Sequence, residues 1–182
     1  MPFPSKTDRQ TILATAMDQV SRDGISKLAI RSVAAALGLA PNALYRYFSS
    51  LAALEAALAE ESRRRLQEVL QEAAGEKPPE EAIRGIAHAY VEFAREQPQV
   101  FSLMLMPSTS EKGDAAHVQM WRFVLGHVAG LYGEERAPEA AVALWAFLHG
   151  MTVLEAAGVF GERKPASSFE FGLRTWIEAA SP

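Results

Sequence analysis

Apolar residues recur at helical spacing through almost the whole chain, and no stretch alternates polar and apolar residues as a half-buried strand would. Ile12, Leu13, Ala16, Met17 and Val20 fall on one helical face, and Ile30, Val33, Ala34 and Leu37 fall on a second, shorter one. Leu44 and Phe48 share a third face, and Leu51, Leu54, Leu58, Leu66, Val69 and Leu70 share a fourth. Past the Gly75-Glu76-Lys77-Pro78-Pro79 break, Ile83, Ile86, Tyr90 and Phe93 open a further series, with helices expected near 79–96, 98–106, 115–131, 138–160 and 166–180. The fold expected is all-α, with about nine helices. Residues 1–50 and 75–182 read as two domains joined by a connecting helix at 51–74.

Local punctuation supports these boundaries. Ser5 and Asp8 have the spacing of a capping box ahead of the first helix. Gly24 can stop that helix, and Gly38 ends the second. Pro41 suits the first turn of the third, where a missing N–H costs nothing. Ser49-Ser50 offers a cap for the fourth.

Composition removes several kinds of function. The chain of 182 residues contains no cysteine, which excludes disulfides, thiol nucleophiles, zinc–thiolate sites and cysteine-ligated clusters. His88, His117, His127 and His149 show no metal-ligand spacing. There is no Gly-rich phosphate loop, nucleophile elbow or paired-carboxylate motif, so neither an enzyme nor a cofactor is expected. The start does not read as a signal peptide, and the longest stretch lacking Asp, Glu, Lys and Arg, Ala140 to Leu154, is shorter than the ~20 residues of a membrane span. A cytoplasmic protein is expected. The net charge of −4 divides unevenly: residues 1–65 carry +3 and the remainder −7. Arg63, Arg64 and Arg65 read as a solvated face paired with Glu60 and Glu61 at i,i+4.

Residues 30–48, IRSVAAALGLAPNALYRYF, place two short amphipathic helices around a tight turn at Gly38-Leu39-Ala40. That is a helix-turn-helix, whose second helix enters the DNA major groove and must present hydrogen-bond donors. Asn42, Arg46 and Tyr47 are expected on its exposed face with Leu44 and Phe48 inward; Tyr45 reads as either exposed or a core aromatic. The run Val33 to Phe48, and above all its Leu-Tyr-x-Tyr-Phe element at 44–48, resembles the signature of the TetR family of bacterial transcriptional regulators over residues 6–58. Trp145 to Gly161 resembles the Trp-x-x-x-His-Gly segment of one group of their effector domains.

The resemblance implies a homodimer that binds double-stranded operator DNA and is released by a small-molecule effector, most simply a repressor. By position, Arg31 contacts phosphate or a base edge, and Pro41, Asn42 and Ala43 lie over base edges. Tyr45 and Tyr47 reach the DNA backbone, and Arg46 reaches phosphate or guanine. Two positions depart from the family pattern. Ala29 replaces the usual Ser or Thr cap, and Leu51 replaces a phosphate-binding Lys, which lowers the expected salt-dependence slope by about one unit. Leu51 and the acidic total leave a second reading open, a partner-recruiting helical module without DNA binding.

Tyr90, Phe93, Met104, Met120, Trp121, Phe123, His127 and His149 form the candidate effector site. Individually each also reads as ordinary core. Together they offer an adaptable apolar lining with His127 and His149 as polar handles, suited to a largely apolar ligand. Trp145, Leu148, Met151, Leu154, Leu173, Trp176 and Ile177 are candidates for a four-helix interface between two copies. Such an interface would set the recognition helices ~34–36 Å apart, one turn of B-DNA.

Overall fold

The computed structural model describes residues 7–106, 115–162 and 165–180. These residues form nine α-helices and no strand: α1 (Arg9–Asp23), α2 (Ile30–Ala36), α3 (Pro41–Leu44), α4 (Leu51–Ala74), α5 (Pro79–Glu96), α6 (Pro98–Leu103), α7 (Ala115–Tyr132), α8 (Ala137–Ala156) and α9 (Ala166–Glu178). A 3-10 turn at Ile25–Lys27, which periodicity did not suggest, follows α1. The chain divides into two compact units, Met1–Arg63 with Gln97–Ala115, and Arg64–Glu96 with Ala116–Pro182.

In the first unit Asp8 itself caps α1, accepting from the Thr11 N–H at 2.7 Å. The Thr11 bonds hold its carboxyl below the usual carboxylate range. Ser5, the expected partner in a capping box, lies outside the described residues. Ile12, Ala16, Met17 and Val20 of α1 are fully buried with Val33, Ala34, Leu44, Leu54 and Leu58. Each large aliphatic side chain removed from water in this way contributes roughly 1.5–3 kcal/mol. α1 packs on α2 and on α6, although α6 comes much later in the chain. The Ser62 hydroxyl, buried on α4, donates to the Val100 carbonyl of α6 at 2.7 Å.

Several helices end earlier than periodicity implied. α3 has one turn instead of two, because the Tyr47 and Phe48 N–H groups both close on the Leu44 carbonyl. α6 stops at Leu103, where Met104 and Met106 make three-residue turns back to Phe101 and Leu103. α8 stops at Ala156 and is followed by turns at Gly158 and Gly161. In each case i→i+3 bonds tighten the chain where the α-helical pattern of partners runs out.

The second unit is built on α5, which buries Ala82, Ile83, Ile86, Ala87, Tyr90, Val91, Phe93 and Ala94. It packs against α8 and α9. A side chain at Gly85 would place its Cβ 2.6 Å from the Ala73 carbonyl oxygen, so α5 and the end of α4 meet as closely as only glycine permits. Arg95 of α5 forks onto Glu155 of α8 at 2.8 and 3.0 Å. α8 buries Ala137, Ala140, Ala141, Leu144, Leu148 and Thr152 along one stripe, and α9 buries Phe169, Leu173 and Ile177. α7 buries only Ala116 and Val128.

Candidate nucleic-acid interface and effector-site residues

The turn between α2 and α3 is fixed by backbone chemistry. Gly38 takes φ +65°, its N–H donates to the Ala35 carbonyl at 3.0 Å, and the Leu39 N–H donates to Ala34 at 2.9 Å. This is a Schellman closure, which needs a left-handed residue at that position. Ala29 starts α2 with no side-chain cap bond. Pro41 then starts α3 with its fixed φ and no stranded donor.

The short α3 and the turn after it have two faces. Leu44 and Phe48 are buried inside the unit. Pro41, Asn42, Tyr45 and Arg46 are exposed, as is Arg31 on α2, while Ala43 is half-buried. Tyr45 is 51% exposed, so it is not a core aromatic. Tyr47 differs from expectation: it is half-buried, and its hydroxyl donates to the Thr7 carbonyl at 2.9 Å. Beside it the Arg9 guanidinium lies 4.6 Å from the centre of the Phe48 ring.

The candidate effector residues fall in both units. Met104 belongs to the first and is buried there; Tyr90, Phe93, Met120, Trp121, Phe123, His127 and His149 belong to the second. Tyr90 and Phe93 are buried on α5. Met120, Trp121, Phe123 and His127 are half-exposed along α7, with the Phe123 and His127 rings edge-on at 4.7 Å. The Tyr90 hydroxyl lies 3.0 Å from His149 Nδ1. Burial pushes the Tyr90 phenol up and holds both His127 and His149 below the ordinary histidine value, so both imidazoles are neutral near pH 7. No cluster of three or more metal-ligating side chains occurs among the described residues.

Residues 12–58 match the bacterial regulatory proteins of the tetR family, and residues 83–176 match the tetracyclin repressor-like C-terminal domain. The chain belongs to the TetR family. It is therefore a DNA-binding transcriptional regulator and not an enzyme. Among similar proteins, the HTH-type transcriptional regulator YobS of Bacillus subtilis (strain 168) is 26% identical over 93% of this chain and 90% of its own. A solved structure from Rhodococcus sp. RHA1, of a protein with unknown function, is 25% identical over 98% of both chains, with a TM-score of 0.83. A TetR variant from Acinetobacter baumannii AYE, in complex with minocycline, shares the fold at 21% identity and a TM-score of 0.70, over 95% of this chain and 96% of that one.

Dimerisation is typical of TetR regulators, and α8 and α9 leave several large apolar side chains uncovered. Val142, Trp145, Val153 and Leu154 of α8 and Phe171 of α9 are 39–62% exposed. Of the residues expected at such an interface, Trp145 and Leu154 are exposed, and Met151 and Trp176 are half-buried. Leu148, Leu173 and Ile177 lie in the protomer's own core. Val142 and Val153 were not singled out within the apolar run of α8, which hid the stripe that faces inward.

Arg63 also departs from expectation. It is 3% exposed, and its Nη1 donates to the Met104 carbonyl at 2.6 Å and to the Met106 carbonyl at 3.3 Å. A cation against the carbonyls past the C-terminus of α6 is well placed for the helix dipole. Arg64, in contrast, is a surface residue paired with Glu68.

Proposed function

We propose that this TetR-family regulator is a homodimeric repressor released from its operator by a small, largely apolar effector. The observation that carries the DNA-reading part is the two-faced α3 segment: Leu44 and Phe48 fix it from within, and Asn42, Tyr45 and Arg46 stand exposed on the other side. Asn42 suits adenine, and Arg46 suits guanine or phosphate. Arg31, Pro41 and Ala43 complete the contact surface, and Tyr47 orients it from behind. On this reading residues 1–50 read DNA, the helix at 51–74 connects, and residues 75–182 bind effector and partner copy. The site of action is the cytoplasm.

The effector site proposed is the second-unit group Tyr90, Phe93, Met120, Trp121, Phe123, His127 and His149; Met104, which belongs to the first unit, is left out of it. Its support is a partly uncovered apolar α7 and two neutral imidazoles, with burial disfavouring a charge on either. A protein of the same fold holds minocycline, which fits small-molecule control of this one. Trp145 and His149 are read as the Trp-x-x-x-His-Gly element of one effector-domain group. Release would be a population shift in which ligand favours a conformer with misplaced recognition helices, α4 being the element that carries residues of both units. Substantial relief of repression requires a differential affinity of about 2–5 kcal/mol.

The test is a gel-shift titration against DNA flanking the protein's own coding region. Sequence-specific binding that weakens steeply with salt is the expected result. Salt-insensitive or sequence-blind binding would overturn the proposal.

A further inference from the structure

Arg9 and Phe48 are far apart in sequence, yet their side chains meet. The Arg9 guanidinium lies over the Phe48 ring, 4.6 Å from its centre. Phe48 is only 2% exposed and closes the α3 segment, whereas Arg9 is exposed at the first position of α1. The backbone leading into Arg9 is pinned twice. The Thr7 carbonyl accepts from the Tyr47 hydroxyl at 2.9 Å, and the Asp8 carboxylate accepts from the Thr11 N–H at 2.7 Å. The cation is thus held beside the recognition segment by its own stacking and by the fixed chain that carries it.

Local structure does not call for a cation there. The dipole of a helix favours anions at its N-terminal end, and α1 opens on Arg9 with no acidic residue in its first turn. No hydrogen bond or ion pair joins Arg9 to another described residue. An aromatic face attracts a guanidinium electrostatically and leaves its planar fork of N–H donors for a further acceptor. A phosphate matches that fork.

We propose that Arg9 is a DNA-contact residue: laid on Phe48, it presents its guanidinium to a backbone phosphate at the edge of the groove that α3 enters. The contact rests on the reading of α3 as the element in the groove. Phe48 stands two residues past Arg46, at most ~7 Å of backbone. The major groove is about 12 Å across, so a cation on the Phe48 ring comes within reach of the phosphates on its bank. α4 opens on the apolar Leu51, so the positive charge next to Phe48 comes from α1 instead. Phosphates carry no direct sequence information, so Arg9 adds affinity and register and leaves base preference to α3.

The test is a set of binding titrations at several salt concentrations with the full chain, on DNA flanking its own coding region and on a duplex of unrelated sequence. Arg9→Met keeps an apolar cover on the Phe48 ring and loses the charge. Its slope of log affinity against log salt should be shallower by about one unit per protomer on both duplexes, with base preference unchanged. Arg9→Lys keeps the charge and should keep the wild-type slope. A wild-type slope in Arg9→Met overturns the proposal. So does a loss of slope in Arg9→Lys as large as in Arg9→Met, because charge would then not be the cause. Should Arg9→Met fail to fold, Arg9→Gln, polar and uncharged, carries the same comparison. Wild-type binding that ignores salt would remove the DNA-reading assignment of α3 and this contact together. Wild-type binding that weakens with salt, beside an unchanged slope in Arg9→Met, removes only the Arg9 contact.

Discussion

The Tyr47 hydroxyl donates to the carbonyl of Thr7 at 2.9 Å, joining the end of the recognition segment to the residue just before the cap of the first helix. The residues are forty positions apart in sequence. Tyr47→Phe removes this bond and keeps the ring. It is expected to destabilise the protein by about 0.5–1.5 kcal/mol in urea unfolding. Operator affinity should fall less than for loss of an exposed donor on α3. A larger loss of affinity than in Arg46→Ala would assign Tyr47 to direct DNA contact instead.

Arg46 is exposed, on the face of the α3 segment proposed to read DNA. Arg46→Ala is expected to weaken operator binding by about 1–3 kcal/mol while thermal stability stays the same. Two outcomes distinguish its roles. Relaxed preference at one base pair marks a guanine contact, whereas a salt slope reduced by about one with unchanged preference marks a phosphate contact. Binding titrations at several salt concentrations, on the operator and on single-substitution variants, measure both.

Arg63 bonds two backbone carbonyls from a buried position. Arg63→Met keeps much of the stem volume and removes the donors. The expected cost is about 1.5–3 kcal/mol, the range for hydrogen bonds to a charged group. Arg64→Met, on a solvated ion pair, should change stability by less than ~1 kcal/mol. Parallel denaturant curves for the two variants provide the comparison, and equal effects would contradict the buried assignment.

His127 and His149 are held below the ordinary value of 6.5 by burial. Above that pH both are neutral, folded or unfolded. As pH falls through 6.5 the unfolded chain takes up protons first, so stability declines until the folded-state values are passed. Melting temperatures should therefore fall between pH 7.5 and 5.5 more steeply in the wild type than in the His127→Gln, His149→Gln double variant. Parallel slopes would contradict this.

Helical periodicity made most of the architecture legible, because a stripe such as Ile83, Ile86, Tyr90 and Phe93 has few alternatives to a core-facing helix. The helix-turn-helix was equally plain, since Gly38 and Pro41 each allow little else at their positions. Arg63 was misread because the i,i+4 spacing of Arg64 and Arg65 from Glu60 and Glu61 was extended to the whole arginine run. Its spacing from Ala59 and Leu66, both fully buried, already placed it on the inward face of α4. Leu148, Leu173 and Ile177 were counted as surface for a different reason. α8 is apolar nearly all round, so its sequence did not say which stripe the protomer keeps for itself. The Tyr47 bond was not legible, because it depends on tertiary proximity to a backbone carbonyl.

The sparse burial of α7 has a dynamic consequence. Eighteen residues held by two covered side chains lose little when they fray, so their amide protons should exchange with deuterium well before those of α5. If the proposed effector residues on that helix are the ones that bind, the guest needs no hinged door. Thermal breathing of a single rod admits it, and its arrival stills that motion.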